Sequence, residues 1–266
     1  MNAKSKVLLQ TGRKMPVIGL GTWLMADPLK TVTKALRMGY RLIDTSGDYG
    51  TQPGVGRAIR DSGIDRAEVF LTTKVEEHDD AYKATLRDLK ELGLDYADLM
   101  LIHRPPEDEV GLELWKGLIK AKHQGLAKDI GVSNYSIDQM QALIDATGEA
   151  PVVNQIEWSP FGHSMEMLGY CQENGIIIQS YSPLTRHERL DDGMLTSLAE
   201  QYGKTPAQLL IRWNIQLGNV PIVKADQEHH LKENIDVFDF EISDDDMIEI
   251  SSLNEQYSIL GLLPYV

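Results

Sequence analysis

The chain has 266 residues, 42% hydrophobic and 25% charged, with 26 basic against 40 acidic side chains and a formal net charge of −14. That length allows one large α/β domain with a sizeable core, and the ordinary globular composition excludes disordered, collagen-like and coiled-coil classes. The negative charge disfavours nucleic acid and anionic lipid as partners, while the single cysteine, Cys171, excludes a disulfide framework and points to a reducing, cytoplasmic setting.

The first apolar run, Val7-Leu8-Leu9, is too brief for a signal peptide, and no later run approaches the ~20 apolar residues of a membrane helix. No leader and no membrane partner are therefore expected. Val7-Leu8-Leu9 and Met15-Pro16-Val17 flank Thr11-Gly12-Arg13, which predicts a short hairpin. Eight short apolar runs follow, at 17–20, 40–44, 69–73, 97–103, 127–132, 152–156, 176–181 and 220–223, each of a length suited to a buried strand.

Helical patterns fill the intervals. Tyr82, Leu86 and Leu89 fall on one face, as do the pairs Leu114/Leu118 and Trp115/Ile119. Ser136 with Gln139 reads as a capping box, and Thr205 before Pro206 as a helix start. Gly39, Gly93, Gly125 and Gly175 stand just past expected helix ends. Eight strand–helix repeats without a linker predict a single domain over residues 1–266, a closed (β/α)8 barrel preceded by the hairpin. The tail, 250–266, is apolar enough to pack against it.

In such barrels chemistry sits at the carboxyl ends of the strands. Those ends carry Asp44, with Tyr49 in the loop beyond, then Lys74, His103, Ser133-Asn134, Asn154-Gln155, Tyr181-Ser182 and Lys224. Any one of these alone is more often a core residue or structural ion pair than a catalyst. Together, Asp44, Tyr49, Lys74 and His103 read as a proton-transfer site. A phenol with an ordinary pKa near ~10 is a poor acid at neutral pH, and an adjacent lysine ammonium would lower that value. Asp44 would hold Lys74 charged, and His103 would hydrogen-bond the substrate oxygen.

The segments Gly19-Leu20-Gly21-Thr22-Trp23, Leu42-Ile43-Asp44-Thr45 with Tyr49-Gly50, Thr73-Lys74, Leu101-Ile102-His103, Gly131-Val132-Ser133-Asn134, Val153-Asn154-Gln155-Ile156-Glu157 and Tyr181-Ser182-Pro183-Leu184 closely resemble the aldo-keto reductase family, in the same order along nearly the whole chain. The resemblance implies reduction of a small carbonyl substrate with hydride from NADP(H). Tyr49 would be the general acid, tuned by Lys74 and Asp44, with His103 orienting the carbonyl. It assigns Ser133, Asn134 and Gln155 to the nicotinamide carboxamide and Trp158 to stacking on the nicotinamide ring. Gly21, Thr22 and Tyr181 join the cofactor site, Ser182, Pro183 and Leu184 meet the pyrophosphate, and Glu233 with Asn234 contacts adenine. The segment Gly19-Leu20-Gly21-Thr22-Trp23-Leu24 is not a dinucleotide-fold fingerprint, since Leu24 stands where the third glycine would be.

The chain departs from the family pattern at the 2′-phosphate clamp. Lys224 persists, but Ala225 replaces a serine and His230 an arginine. Histidine lacks the permanent bidentate charge of arginine, so NAD(H) use is expected beside NADP(H), with the NADPH preference growing as pH falls. The other reading has His230 facing solvent while Lys224 and Lys232 suffice. Arg104 stands where the family commonly has tryptophan; it would bind an anionic substrate, or face solvent or pair with Glu107 or Asp108. Trp23 would line the substrate pocket. After Tyr49, Gly50-Thr51-Gln52-Pro53 replaces the usual Gly-Asn-Glu, a change that bears on the next helix start. The other histidines show no metal-ligand spacing, so no metal is expected.

Small aldehydes, dicarbonyls and keto-sugars are the expected substrates, and a monomer the expected state. Two alternatives stay open from the sequence: a Schiff-base lyase using Lys74, and a nucleotide-sensing barrel without catalysis.

Overall fold

The computed structural model describes residues 2, 4–107, 109–261 and 263–265. Strands β1 (Lys6–Leu8) and β2 (Lys14–Pro16) pair antiparallel with Val7 opposite Met15. Gly12, at φ 82°, makes the turn between them.

Eight parallel strands then close a barrel in chain order: β3 (Gly19–Gly21), β4 (Leu42–Asp44), β5 (Phe70–Val75), β6 (Ala97–Ile102), β7 (Ala127–Ser133), β8 (Val153–Glu157), β9 (Ile177–Tyr181) and β10 (Val220–Val223). The ring is sealed where Ile222 of β10 pairs with Gly19 of β3. A Cβ at Gly19 would meet the ends of the Leu42 and Ile222 side chains, so glycine lets both pack into the narrow barrel interior there. The expected strands are all present, with shifted ends. Pairing of Lys74 with Leu101 and of Val75 with Ile102 carries β5 past Lys74, and β3 begins two residues later than the apolar run at 17–20.

The helices begin and end where local chemistry directs. Ser136 and Gln139 form a reciprocal capping box on the helix Ile137–Thr147, and Thr205 with Gln208 does the same for Pro206–Gln216. Gly39 and Gly93 take the left-handed conformation at the ends of Pro28–Met38 and Ala81–Leu92.

The hairpin stops the amino-terminal end of the barrel. Leu9 and Met15 pack with Leu42, Phe70, Leu99 and Leu101 of the barrel interior. Arg13 pairs with Asp98 at 2.7 Å and Asp129 at 3.0 Å. The carboxyl end is left for chemistry, and the tail lies across part of it. Glu157, closing β8, accepts from Ile259 N at 2.7 Å and Ser258 Oγ at 2.8 Å, while Tyr257 N donates to the Phe161 carbonyl at 2.9 Å. Among the described residues, no helix is long and apolar enough to cross a membrane.

Candidate active site

The four polar residues expected at the strand ends meet at the mouth of the barrel. Lys74 Nζ donates to Asp44 Oδ1 at 2.8 Å, to the Thr45 carbonyl at 2.9 Å and toward Tyr49 Oη at 3.4 Å. Asp44 is fixed from across the barrel, its Oδ2 accepting from Gln155 Nε2 at 2.8 Å. Thr22, Thr45 and Thr51 brace this corner: Thr22 Oγ1 donates to the Asp44 carbonyl at 2.9 Å, and Thr51 Oγ1 lies 3.0 Å from Thr22 Oγ1 and 2.8 Å from Thr45 Oγ1. The unusual residue after Gly50 thus supports the site through Thr51 as well as preceding the helix Gln52–Asp61.

Burial sets the protonation states. It would push the Lys74 ammonium toward losing its proton, but Asp44, joined by Tyr49, outweighs that and raises its pKa. The expected lowering at Tyr49 is not the net result. Burial raises the phenol, Lys74 only partly counters it, and Asp44 adds to the rise, so Tyr49 holds its proton. Lys74 is fully buried behind Tyr49 and held charged, the opposite of the accessible neutral amine that a Schiff-base nucleophile requires.

His103 follows β6 directly and meets Tyr49 edge to face, ring centroids 5.7 Å apart. Its Nδ1 faces Glu76, with Oε1 at 2.9 Å and Oε2 at 3.1 Å. Ser46 Oγ donates to Glu76 Oε1 at 3.1 Å, and Asp48 Oδ1 lies 3.7 Å from the same ring nitrogen. Asp48, Glu76 and His103 form a group with metal-ligand spacing among the described residues, and the hydrogen bonds between Glu76, His103 and Ser46 account for its compactness.

Tyr49 and His103 open onto a cleft of about 640 Å³ that runs from Trp23 and Arg104 toward Lys224 and His230. Gly21, Ser133, Asn134 and Gln155 line it, as do Tyr181, Ser182, Pro183, Leu184 and Ala225. Asn134 donates to the His103 carbonyl at 3.1 Å and accepts from Tyr181 Oη at 2.7 Å, which ties the two walls together. Gln155 uses its amide nitrogen on Asp44 and on Gln179, leaving its amide oxygen without a partner among the described residues.

Four expected cofactor residues lie elsewhere. The Trp158 ring is completely buried against His163 and Tyr265. It stands two residues past Ile156 and shares that residue's helix-facing core, so it has no face to offer a ligand; Tyr181 supplies an aromatic ring in the cleft instead. Thr22 is also fully buried, with its hydroxyl on Asp44 and Thr51. Glu233 accepts from Thr205 Oγ1 at 2.6 Å and Asn234 is buried on the helix Glu228–Ile235, and neither lines the cleft.

The site also gathers residues that the sequence reading passed over. Glu76, one residue beyond β5, lies behind His103, and Asp226, two residues after Lys224, lines the cleft. Arg186 and His187 come from the turn after Leu184, where Thr185, Arg186 and His187 all have positive φ. The Arg186 guanidinium sits 4.4 Å over the Trp23 ring across the cleft. Arg104 is exposed at the mouth and makes no ion pair with Glu107; Asp108, its other expected partner, lies outside the described residues.

The aldo/keto reductase family model matches residues 17–255. Methylglyoxal reductase DkgA of Escherichia coli (strain K12) is 40% identical over 256 residues, covering 94% of this chain and 93% of its own. The crystal structure of an aldo/keto reductase from Brucella melitensis superimposes with a TM-score of 0.89 at 40% identity, covering 94% of this chain and 99% of that one. A Bombyx mori aldo-keto reductase solved in complex with NADP gives a TM-score of 0.91 at 33% identity, over 97% and 95% of the two chains.

Proposed function

The chain belongs to the aldo/keto reductase family and is an NAD(P)H-dependent carbonyl oxidoreductase, and from that premise we propose that it reduces small aldehydes, dicarbonyls or keto-sugars to alcohols with Tyr49 as the proton donor. The observation that carries this reading is the Tyr49 hydroxyl at the cleft with the Lys74 ammonium 3.4 Å behind it. A phenol that keeps its proton is the correct resting acid for reduction. As that proton moves to the carbonyl oxygen, the buried ammonium neutralises the phenolate left behind. Asp44 keeps Lys74 charged, and His103 hydrogen-bonds and orients the carbonyl oxygen.

The donor set suits a nicotinamide cofactor, which when bound supplies the hydride. The Gln155 oxygen, without a partner among the described residues and with Ser133 and Asn134 beside it, offers an acceptor to the carboxamide, and Tyr181 offers the ring face assigned by resemblance to Trp158. Ser182, at φ 48°, turns the chain beneath the groove that would hold the pyrophosphate. Use of NADH beside NADPH is supported by Ala225, by His230 and by the Asp226 carboxylate, an acceptor for a ribose hydroxyl and a repellent for a 2′-phosphate. A DkgA relative that reduces methylglyoxal favours small dicarbonyls among the candidates. A single barrel domain over residues 1–266, acting as a monomer, belongs to the same proposal.

The test is cofactor oxidation over small aldehydes, α-dicarbonyls, keto-sugars and keto acids with both cofactors and a Tyr49→Phe control. We expect turnover of at least one dicarbonyl and a loss of about a hundredfold or more in the variant. Undiminished turnover in Tyr49→Phe would overturn the assignment.

A further inference from the structure

Glu76 stands one residue past the end of β5, and both of its oxygens close on one nitrogen of His103, at 2.9 and 3.1 Å. The pair is secluded, Glu76 at 8% and His103 at 6% exposure. Burial alone would raise the Glu76 carboxyl, but its hydrogen bond and attraction to His103, the Ser46 hydroxyl and the Arg104 charge hold it below the ordinary value, so it is ionised. The other groups facing the ring are the Ser46 hydroxyl, 3.5 Å from Nδ1 and donating to Glu76, Asp48, 3.7 Å from the same nitrogen, and the edge-on Tyr49, with the Arg104 cation next in sequence.

We propose that Glu76 is a positioning residue that lets His103 hydrogen-bond a carbonyl oxygen only as an imidazolium. This rests on the catalytic roles assigned above to Tyr49 and His103. A carboxylate accepts hydrogen bonds and cannot donate them, so the nitrogen it grips, Nδ1, keeps a proton in every state of the ring. In the neutral ring Nε2 then carries a lone pair, which repels the lone pairs of a carbonyl oxygen instead of binding it. A second proton converts Nε2 to a donor and completes a cation–anion pair whose positive end lies nearest the oxygen that gains negative charge as hydride arrives. A neutral histidine free to carry its proton on Nε2 would donate at any pH. Here the Glu76 carboxylate removes that tautomer, exchanging activity at alkaline pH for a stronger, charged donor.

The experiment compares the enzyme with Glu76→Gln, whose amide either accepts from Nδ1–H or donates to a bare Nδ1 and so readmits the neutral Nε2–H ring. We would measure kcat/KM for carbonyl reduction from about pH 6 to about pH 9, at saturating NADH and again at saturating NADPH. Tyr49 does not titrate in this interval, because burial raises its phenol above the ordinary value. The expected result is a fall of about tenfold or more in the unaltered enzyme and of less than about threefold in Glu76→Gln. Identical pH dependence in the two would overturn the proposal. Nitrogen-15 NMR of histidine-labelled protein decides it without turnover and without the variant: the neutral His103 ring should carry its proton on Nδ1, and a neutral ring protonated on Nε2 would overturn the proposal. Turnover retained in Tyr49→Phe would sink the catalytic assignment instead, and the NMR result would still decide what Glu76 does.

Discussion

The ammonium of Lys224 lies 3.4 Å from Asp226 Oδ2 and donates to the Leu24 carbonyl at 2.9 Å, so the cation proposed to meet a 2′-phosphate already has partners within the protein. A phosphate placed there competes with a carboxylate for that charge. Asp226→Asn should raise the preference for NADPH over NADH about tenfold, mainly by tightening NADPH. Titration of each cofactor against tryptophan fluorescence checks this, and an unchanged ratio would show that Asp226 takes no part in the choice.

His230 faces His187, ring centroids 6.2 Å apart, and His229 at 4.0 Å. Imidazole lacks the permanent, bidentate charge of a guanidinium, so His230→Arg should raise the preference for NADPH over NADH about tenfold. The ratio of kcat/KM for the two cofactors in each protein is the measurement. A ratio unchanged by the substitution counts against the idea.

Lys74 and Asp44 form an ion pair with both members buried. Lys74→Met leaves Asp44 charged and unpaired, with a stability loss of about 3 kcal/mol beside the loss of turnover. Adding Asp44→Asn should restore much of the stability and none of the activity. Denaturant unfolding of the single and double variants gives the comparison.

Asp88, buried on the helix Ala81–Leu92, has one oxygen on Arg87 at 3.0 Å and the other without a partner among the described residues. Burial pushes its carboxyl up to about 6, with Arg87 and the Gln52 side chain offsetting only part of the rise. The folded state therefore binds this proton more tightly than the unfolded chain. The resulting penalty is absent below the ordinary carboxylate pKa near ~3.8, grows as pH rises toward 6 and is complete above it. Asp88→Asn should stabilise the protein by about 1 kcal/mol at pH 8, a few degrees in Tm, with the gain fading toward pH 4. A gain equal at both pH values would assign the effect to packing.

Arg104 stands exposed beside His103 at the mouth with no ion pair among the described residues. If it receives a substrate anion, Arg104→Ala should cost about tenfold more in kcat/KM for a carboxylated carbonyl than for a neutral one of similar size. Equal losses on both would leave it a solvent-facing charge.

Local signals made the barrel legible. Strand-length apolar runs, capping boxes at Ser136 and Thr205, and glycines at helix ends are short-range physics, and they placed eight strands in order with the polar strand ends together. Because parallel barrel strands all present their carboxyl ends to one mouth, reading the residue that ends each run or directly follows it was enough to gather Asp44, Lys74 and His103. Facing was harder to read. The two-residue alternation from Gln155 already turns Trp158 away from the cleft, but only its packing against His163 and Tyr265 decides that the ring is sealed in.

The sequence by itself determined the barrel, its order and the four groups at its rim, because those follow from patterns within ten or so neighbouring residues. Tertiary structure alone decided the balance of forces among them. Burial outweighs Lys74 at the Tyr49 phenol, Glu76 closes on His103 from just past the end of β5, and Arg186 crosses the cleft to Trp23. Desolvation and hydrogen-bond direction depend on which distant side chains share a few ångströms of space, and no spacing along the chain encodes that.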